Sequence, residues 1–345
     1  MNQPIAKNQT DFTDSNNGGD NKGLDVSRTG AALRDISHYT SILFSGKQHL
    51  EFLHRMTTSH FLNLQVGEGF ETVFPDNRGR IFSFGTFTRI DQHVTVGVIP
   101  STKGHSLIDW LDGYLFNEDV LFKDITENTS GIEIIGPCFI DIIKSNWPHL
   151  FSSDITIPYH LSSKTVEQPF VLGQKYGRVP GARLIGPPSA IEEMALRVLK
   201  TGCGRMSEID FDTMRIEEGY PTLENELTDA HNPWEADLKR TIDLNKGCYI
   251  GQEIIARLNT YNKVKQHLVG LHLSDNQPEA GDKLMAIGGR HAGKITSAAF
   301  SPLLGNRIAL AYLRKEFCSP GTNLTLCDTD RISGKITVCD LPFAL

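Results

Sequence analysis

One short stretch of this sequence brings a thiol, a cation and two glycines close together. It spans 244–258 and contains Lys246, Gly247, Cys248 and Gly251. The residues after the second glycine suit a short helix, so the cysteine would lie just ahead of a helix N-terminus. A helix N-terminus and a nearby cation both favour thiolate over thiol. The spacing therefore indicates a reactive cysteine, Cys248, with Lys246 as the cation beside it.

The helix after this loop has signals of its own at both ends. Glu253 would lie in its first turn and Arg257 in its last, where an acid and a base complement the helix dipole. A second interpretation of Cys248 stays open, because an unpaired cysteine is commonly a small buried apolar residue. Spacing alone does not choose between the two.

The composition is that of a globular protein with a modest excess of acid. The chain has 345 residues and a mass of 38.3 kDa, more than one hydrophobic core usually serves, so we expect two or three domains. A net charge of −7 and a pI near 5.9 disfavour nucleic-acid and anionic-membrane partners, which select basic surfaces. The longest apolar runs have the length of a strand, so we expect a soluble protein with no membrane span.

The 6 cysteines show neither a C-x-x-C pair nor regular spacing. We therefore expect no disulfide framework and no closed zinc site, and reduced thiols fit a cytoplasmic location best. The first residues, 1–27, are rich in Asn, Asp and Gly and carry neither a signal-peptide core nor an Arg-rich transit face. They are predicted to form a disordered tail.

Periodicity and turn residues predict a mixture of helices and strands after the tail. We expect a helix over 47–57, a hairpin around the turn at 75–80, and a strand in which Val94, Val96 and Val98 alternate. Strands and helices do not alternate strictly, and the glycine-rich phosphate-loop motifs are missing from the sequence. Both features indicate an α+β fold rather than a doubly wound nucleotide enzyme.

Capping signals predict further helices. Ser101 is a predicted N-cap, Ser189 and Glu192 form a capping-box pattern, and a helix is predicted from Ser207 to Glu218. Beyond these helices, short apolar strands with frequent glycine turns indicate a small β-barrel or sandwich.

Three motifs follow one another in the second half of the chain. They are Arg-Ile-Glu-Glu-Gly-Tyr-Pro at 215–221, Pro-Trp-Glu-Ala-Asp-Leu at 233–238 and Lys-Gly-Cys-Tyr-Ile-Gly-Gln-Glu at 246–253. Together they resemble the YgfZ family of folate-binding proteins, which are relatives of the T protein of the glycine cleavage system. The octet is the most specific of the three.

The resemblance extends from about Gly30 to the end of the chain. It implies an aminomethyltransferase-like folate-binding body followed by a small C-terminal β-barrel. We place the α+β folate-binding region at 28–262, as two subdomains with a boundary near 137–165, and the barrel at 263–345.

The same resemblance implies tetrahydrofolate as the cofactor and Cys248 as the functional thiol, with Lys246 beside it. A folate needs an apolar or aromatic slot for its pterin, a carboxylate for its N–H donors and cations for its glutamate tail. The candidate cofactor-binding residues are Arg215, Glu217, Arg183, Tyr249 and Gln252. For Arg215 and Glu217 the alternative is an ordinary ion-paired helix end.

This sequence departs from the T-protein pattern at two places. Ser59 and His60 stand where that enzyme carries an Asp, and Arg178 and Arg183 stand in a stretch where it carries acids. Loss of the acids disfavours one-carbon transfer, which needs a group to orient the reacting amine. The arginines are candidates for an anionic tail, with a solvated surface role as the alternative, and His60 is a candidate replacement for the lost polar contact.

We therefore expect a tetrahydrofolate-binding accessory factor that acts through Cys248 on iron-sulfur client proteins or their assembly machinery. A single thiol would act transiently, because iron-sulfur clusters usually take four ligands, so we expect no stably bound metal. Two alternatives stay open, a folate-dependent aminomethyl- or methyltransferase and a folate-free scaffold of the same fold.

Overall fold

The computed structural model describes residues 22–102, 104–148, 168–274, 278–327 and 335–344. Over these residues the chain forms two five-stranded sheets and a closed six-stranded barrel, which confirms the predicted α+β fold with a C-terminal barrel. The α-helices of the described part are α1 Lys22–Thr29, α2 His49–Met56, α3 His105–Asp112, α4 Phe139–Asn146, α5 Pro188–Lys200, α6 Glu208–Glu217 and α7 Gln252–Thr260.

The first sheet comes from the N-terminal part of the chain. Its strands are β2 Thr40–Ser45, β3 Gly69–Pro75, β4 Ile81–Asp91, β5 Val94–Ile99 and β6 Leu121–Asp124. They are antiparallel and stand in the order β3-β4-β5-β2-β6. The predicted hairpin is confirmed as the β3–β4 pair, and the predicted strand of alternating valines is β5.

The second sheet contains one early strand and four later ones. Its strands are β1 Ala32–Asp35, β7 Ser130–Ile135, β8 Phe170–Tyr176, β9 Val179–Gly186 and β10 Gly204–Arg205. Their order is β10-β1-β7-β9-β8, and only the β1–β10 pair among them is parallel. The two sheets share a core, in which Val96 and Val98 of β5 pack with Phe170 and Leu172 of β8.

The barrel occupies the C-terminal part of the chain. Its strands are β11 Gln266–Leu273, β12 Lys283–Ala286, β13 His291–Ser301, β14 Asn306–Arg314, β15 Asn323–Leu326 and β16 Ile336–Cys339. Ala309 and Ala311 of β14 belong to the barrel core, whereas the alternating Ile308 and Leu310 pack outward against Ile216 of α6. This alternation docks the barrel onto the rest of the chain.

Two of the predicted helix starts differ from the structure. Helix α5 begins one residue ahead of Ser189, after Pro187, and has no side-chain cap. Helix α3 begins after Gly104, and the hydroxyl of Ser101 instead donates to Glu224 Oε1 at 2.7 Å. By contrast, the helix predicted from Ser207 to Glu218 is present as α6, with Ser207 as its N-cap. A cap pattern in sequence cannot show which partner the hydroxyl finds in the fold.

The segment boundaries also differ in part from those expected. Residues 22–27 of the predicted tail lie in α1, because Leu24 is fully buried in a cluster with Tyr176, a contact that local composition does not reveal. Residues 1–21 lie outside the described residues. After β1 of the second sheet and the strands of the first sheet, the chain returns to the second sheet between Asp124 and Ser130. The subdomain boundary near 137–165 stays a prediction, and part of that range lies outside the described residues.

No helix in the described part of the chain has both the length and the apolar character needed to cross a membrane.

Gly251 at the start of α7 generates a prediction about backbone packing. Its φ is +74°, and a Cβ there would lie 2.5 Å from the carbonyl oxygen of Asp76 in the β3–β4 turn. Gly202 is a matched control, with φ of +87° and open space around it. An alanine is strained in the left-handed conformation at both positions, but only at Gly251 does its Cβ also clash with a neighbouring carbonyl. We therefore expect Gly251→Ala to lower the free energy of unfolding by about 1–3 kcal/mol more than Gly202→Ala does. Urea denaturation of the two variants measures the difference, and equal losses would contradict the packing account.

Candidate functional site

The loop that precedes α7 exposes its cysteine and buries its lysine. Cys248 is exposed, whereas Lys246, two residues earlier, is only 4% exposed. Gly251 adopts its left-handed conformation at the N-cap of α7, so the loop turns sharply into the helix. The thiol precedes a helix as expected and is exposed rather than buried, but the role of Cys248 as the functional thiol stays a prediction.

The Lys246 ammonium group caps the end of helix α2. Its Nζ donates to three carbonyl oxygens, those of His54 at 2.5 Å, Thr57 at 2.7 Å and Ser59 at 2.6 Å. The last carbonyls of a helix lack partners within the helix, and a cation there also complements the helix dipole. All three donors of the ammonium are used, so Lys246 has none left for the Cys248 thiol that we expected it to activate.

Burial shapes the titration of the groups around this lysine. Burial lowers the pKa of Lys246 to about 7, and Asp243 raises it in part. Tyr249 lies below the lysine, with Nζ 4.8 Å from its ring centroid, and burial raises the pKa of its hydroxyl to about 12. Tyr249 is therefore part of the packing of the loop, and it does not line the cavity described below.

Three buried polar atoms near Lys246 have no hydrogen-bond partner among the described residues. They are Nδ1 of His54, Nδ1 of His60 and the hydroxyl of Tyr249. The two imidazole rings pack edge to face, with centroids 4.7 Å apart. His60, the candidate replacement for a lost polar contact, thus packs on a second histidine.

A cavity of about 600 Å³ lies where the two sheets meet the end of α6 and the C-terminal segment. Its lining combines aromatic and apolar side chains with carboxylates and cations. The lining residues are Phe70, Glu71, Lys175, Gly177, Arg178, Glu218, Gly219, Tyr220, Pro221, Asp237, Arg240, Thr241, Leu341 and Pro342. A cavity of this size and mixture suits a ring-bearing ligand with polar and anionic groups.

One side of the cavity carries the ion pair between Glu218 and Arg178. The guanidinium of Arg178 donates to Glu218 Oε1 through Nη2 at 2.9 Å and to Oε2 through Nε at 3.0 Å. Nη2 also donates to the carbonyl oxygen of Phe343 at 2.9 Å, which ties this side of the cavity to the C-terminal segment. The Arg178 side chain remains 48% exposed, so its charge faces the cavity mouth and solvent.

The other side of the cavity carries the ion pair between Glu71 and Arg240. Arg240 donates to Glu71 Oε2 through Nε at 2.8 Å, and its Nη2 forms an ion pair with the same oxygen at 2.7 Å. Glu71 Oε1 accepts from Gln174 Nε2 at 3.0 Å and from the hydroxyl of Tyr220. Burial and the neighbouring Glu71 raise the pKa of Tyr220 well above its usual value, so the hydroxyl stays a donor.

Arg215 and Glu217, two predicted cofactor-binding residues, do not line this cavity. Arg215 is buried and donates to Glu226 Oε2 at 3.1 Å and to Ser297 Oγ of the barrel at 2.8 Å. Glu217 is buried and accepts from Ser301 Oγ of the barrel at 2.6 Å and from Arg28. Their contacts hold α6 against the barrel. A role in cofactor binding stays a prediction for both residues.

Arg183, another predicted ligand-binding residue, lies in a buried network between the sheets. It donates to Glu133 Oε1 at 2.7 Å, to Thr86 Oγ1 at 3.1 Å and to the hydroxyl of Tyr176 at 3.0 Å. Burial opposes ionisation of Glu133, but Arg183 and Arg34 hold the pKa of its carboxyl below the usual value. Arg183 therefore joins two sheets, while Arg178 alone of the two arginines lines the cavity.

Gln252, the remaining predicted ligand-binding residue, opens helix α7 and does not line the cavity. The residues that the sequence analysis missed are Glu71, Gln174, Glu218 and Arg240. Only Glu218 lies in one of the three motifs; the other three carry no local signal. Among the described residues, no group of three or more His, Cys, Asp or Glu side chains is placed to hold a metal ion.

Comparison with known proteins relates the chain to one family. Residues 14–167 match the GCVT N-terminal domain, and residues 266–344 match the glycine cleavage T-protein C-terminal barrel domain. An Arabidopsis thaliana protein named "Putative transferase, chloroplastic" is 32% identical over 94% of this chain and 74% of its own length. An aminomethyltransferase of Saccharopolyspora erythraea is 26% identical over 92% of this chain and 87% of its own length.

A solved structure shares the same fold. The glycine cleavage system aminomethyltransferase T of Bartonella henselae superposes with a TM-score of 0.84. The alignment covers 94% of this chain and 89% of that chain, at 19% identity. At this identity the likeness concerns the fold.

The capping role of Lys246 predicts a large loss of stability when the amine is removed. Lys246→Met would leave the three carbonyls without a donor, and each unsatisfied buried acceptor costs about 1–3 kcal/mol, so we expect a loss of about 3 kcal/mol or more. Cys248→Ala in the same loop should change stability by less than about 0.5 kcal/mol, because its side chain is exposed. Urea denaturation at neutral pH tests both, and similar small losses would refute the capping role.

The buried His54 predicts a loss of stability in acid. Burial, with the charges of Lys246 and His60, lowers the pKa of His54 from its usual 6.5 to about 4. Between these values the unfolded chain binds a proton that the folded chain does not, so the free energy of unfolding falls as pH falls, by up to about 1.4 kcal/mol per pH unit from this group. His54→Leu should make the stability curve from pH 6.5 to pH 4.5 measurably shallower. An unchanged slope would show that His54 does not contribute.

Proposed function

Since the chain belongs to the glycine cleavage T-protein family, we propose that it binds tetrahydrofolate in the cavity between its sheets. We further propose that it serves, through the thiol of Cys248, in the assembly or repair of iron-sulfur clusters in client proteins. The observation that carries the folate part is the lining of the cavity, which supplies each kind of group that a folate requires.

The residues present fit a folate group by group. The aromatic rings of Phe70 and Tyr220 provide a slot for a flat pterin. Arg178 and Arg240 are both only partly buried, so their guanidinium groups are within reach of an anionic glutamate tail at the mouth. Lys175 adds a third cation to the lining. When bound, tetrahydrofolate would supply a reduced ring that can carry a one-carbon unit.

The thiol part of the proposal rests on the exposure of Cys248 and on the octet around it. The structure separates the roles within that octet, since Lys246 holds the loop in place and Cys248 projects into solvent. An exposed thiol on a fixed loop can meet a partner protein, and one thiol completes a cluster site only when the partner brings the other ligands. This favours the YgfZ-like role over the other branches of the family.

A folate-dependent aminomethyl- or methyltransferase is the second candidate function. It is supported by the names of the relatives and by the carboxylates Glu71 and Glu218 in the cavity, which could orient an amine. Against it, Ser59 occupies the place of the family's acid, and its hydroxyl donates to the carbonyl oxygens of Glu71 and Thr241 at 3.3 and 3.0 Å. A cytoplasmic location remains our prediction, although the Arabidopsis relative is named as chloroplastic.

The functional role of the Cys248 thiol is tested by replacing Cys248 and, in a matched control, a second exposed cysteine. Cys248 and Cys327 are both exposed, so Cys248→Ala and Cys327→Ala remove equivalent surface thiols. In a host strain that lacks the gene, we expect Cys327→Ala to restore the activity of iron-sulfur enzymes and Cys248→Ala to fail, while both variants fold and bind tetrahydrofolate as the wild type does. Full restoration of iron-sulfur enzyme activity by Cys248→Ala would contradict the proposed role of the thiol. Thiol-independent movement of a one-carbon unit onto tetrahydrofolate would favour the transferase.

A further inference from the structure

We propose that Glu71 is the carboxylate that pairs with the N–H edge of the pterin ring, and that Arg240 occupies the place of that edge when no ligand is bound. This inference rests on the proposed function, since it names the residues that recognise the ligand.

Glu71 is held ready inside the cavity wall by two buried donors. It lies on β3, is 7% exposed and lines the cavity. Its Oε1 accepts from Gln174 and Tyr220, which are themselves 1% and 6% exposed. These partners fix the orientation of the carboxylate and use one of its oxygens, so Oε2 is the oxygen available for exchange.

Oε2 is paired with a side chain that is half in solvent. Arg240 is 46% exposed; its Nε donates to Oε2 at 2.8 Å, and its Nη2 lies 2.7 Å from the same oxygen as an ion pair. Its Cζ also lies 5.3 Å from the ring centroid of Tyr220. A guanidinium therefore sits against an aromatic ring while its edge pairs with a buried carboxylate.

A pterin offers the same combination of groups. Its 2-amino-4-oxo-pyrimidine ring is flat, and the edge with N3–H and the 2-amino group is chemically a guanidine. Such an edge can donate to a carboxylate oxygen, as the N–H groups of a guanidinium do, and its face stacks on an aromatic ring. The contacts of Arg240 with Glu71 and Tyr220 thus match those that the pterin edge requires.

If the pterin edge replaced the Arg240 guanidinium on Glu71, both the Glu71 carboxylate and the Arg240 guanidinium would still have a partner. When the pterin edge takes Oε2, the partly exposed Arg240 guanidinium is released toward solvent at the cavity. There it can meet the carboxylates of the glutamate tail, so the pair broken inside is replaced by one with the ligand. A ligand without the glutamate tail would gain the contact with Glu71 but not the contact with Arg240.

Ser59, which stands where the family carries an acid, lies next to the Glu71 carboxylate in the chain's fold. The hydroxyl of Ser59 donates to the backbone carbonyl of Glu71 at 3.3 Å, so the two positions are in contact. Glu71 on β3 therefore places a carboxylate next to the position at which the family's acid is absent.

Binding titrations with two ligands test the exchange. Tetrahydrofolate carries ring and tail, and 6-methyltetrahydropterin carries the ring alone. We expect Glu71→Gln to weaken both ligands by about 10- to 100-fold, the usual effect of losing a charge-assisted hydrogen bond. Glu193→Gln is the matched control, because it changes an exposed ion-paired carboxylate of α5 outside the cavity lining, and it should leave both affinities unchanged.

Arg240→Gln gives a second readout with the opposite sign. Removing the competing guanidinium should tighten binding of 6-methyltetrahydropterin by about two- to fivefold, in keeping with the strength of a partly exposed ion pair. The same variant should lose the preference for tetrahydrofolate over the ring compound. A structural role for Arg240 would instead weaken both ligands.

The outcomes separate this inference from the proposed function. If the wild type binds neither ligand, the proposed folate function fails. If the wild type binds tetrahydrofolate and Glu71→Gln binds both ligands equally well, the assignment of Glu71 is overturned while the folate function stands. If Glu71→Gln does not fold, as judged by thermal denaturation, Arg240→Gln decides, and weaker binding of 6-methyltetrahydropterin by that variant overturns the exchange.

Discussion

The buried ammonium group of Lys246 is the contact on which the arrangement of the candidate sites depends. It ends helix α2 by satisfying three carbonyls, and it does so from a loop almost two hundred residues further along the chain. Because a lysine is costly to bury without partners, the loop and the helix end hold each other in one position. The exposed Cys248 is thereby carried on a fixed support rather than on a free surface loop.

The same contact connects the thiol loop to the cavity. The backbone carbonyl of Ser59 accepts from Lys246, while its hydroxyl donates to the carbonyls of Glu71 and Thr241, both of which line the cavity. Ser59 therefore contacts both Lys246, which holds the loop of Cys248, and two residues that line the cavity.

Local signals in the sequence were enough for most elements, and long-range contacts decided the site. The β3–β4 hairpin, the strand of alternating valines and the helix after Ser207 were predictable because turns, periodicity and caps are properties of neighbouring residues. The role of Lys246 was not predictable, since its partners lie on another element. Arg215 and Arg183 were chosen as ligand-binding residues for their charge, which the fold uses to join α6 to the barrel and one sheet to the other. Glu71 and Arg240 are 169 residues apart and belong to no motif, so only the structure brings them together.

The central claim is that the cavity between the sheets binds a reduced folate, and calorimetric titration of tetrahydrofolate into the wild-type chain tests it most directly. We predict saturable binding with one folate per chain. The accompanying heat should be lost when an excess of 6-methyltetrahydropterin already fills the pterin slot. An absence of binding heat and of any change in melting temperature at a high concentration of both chain and tetrahydrofolate would contradict the account.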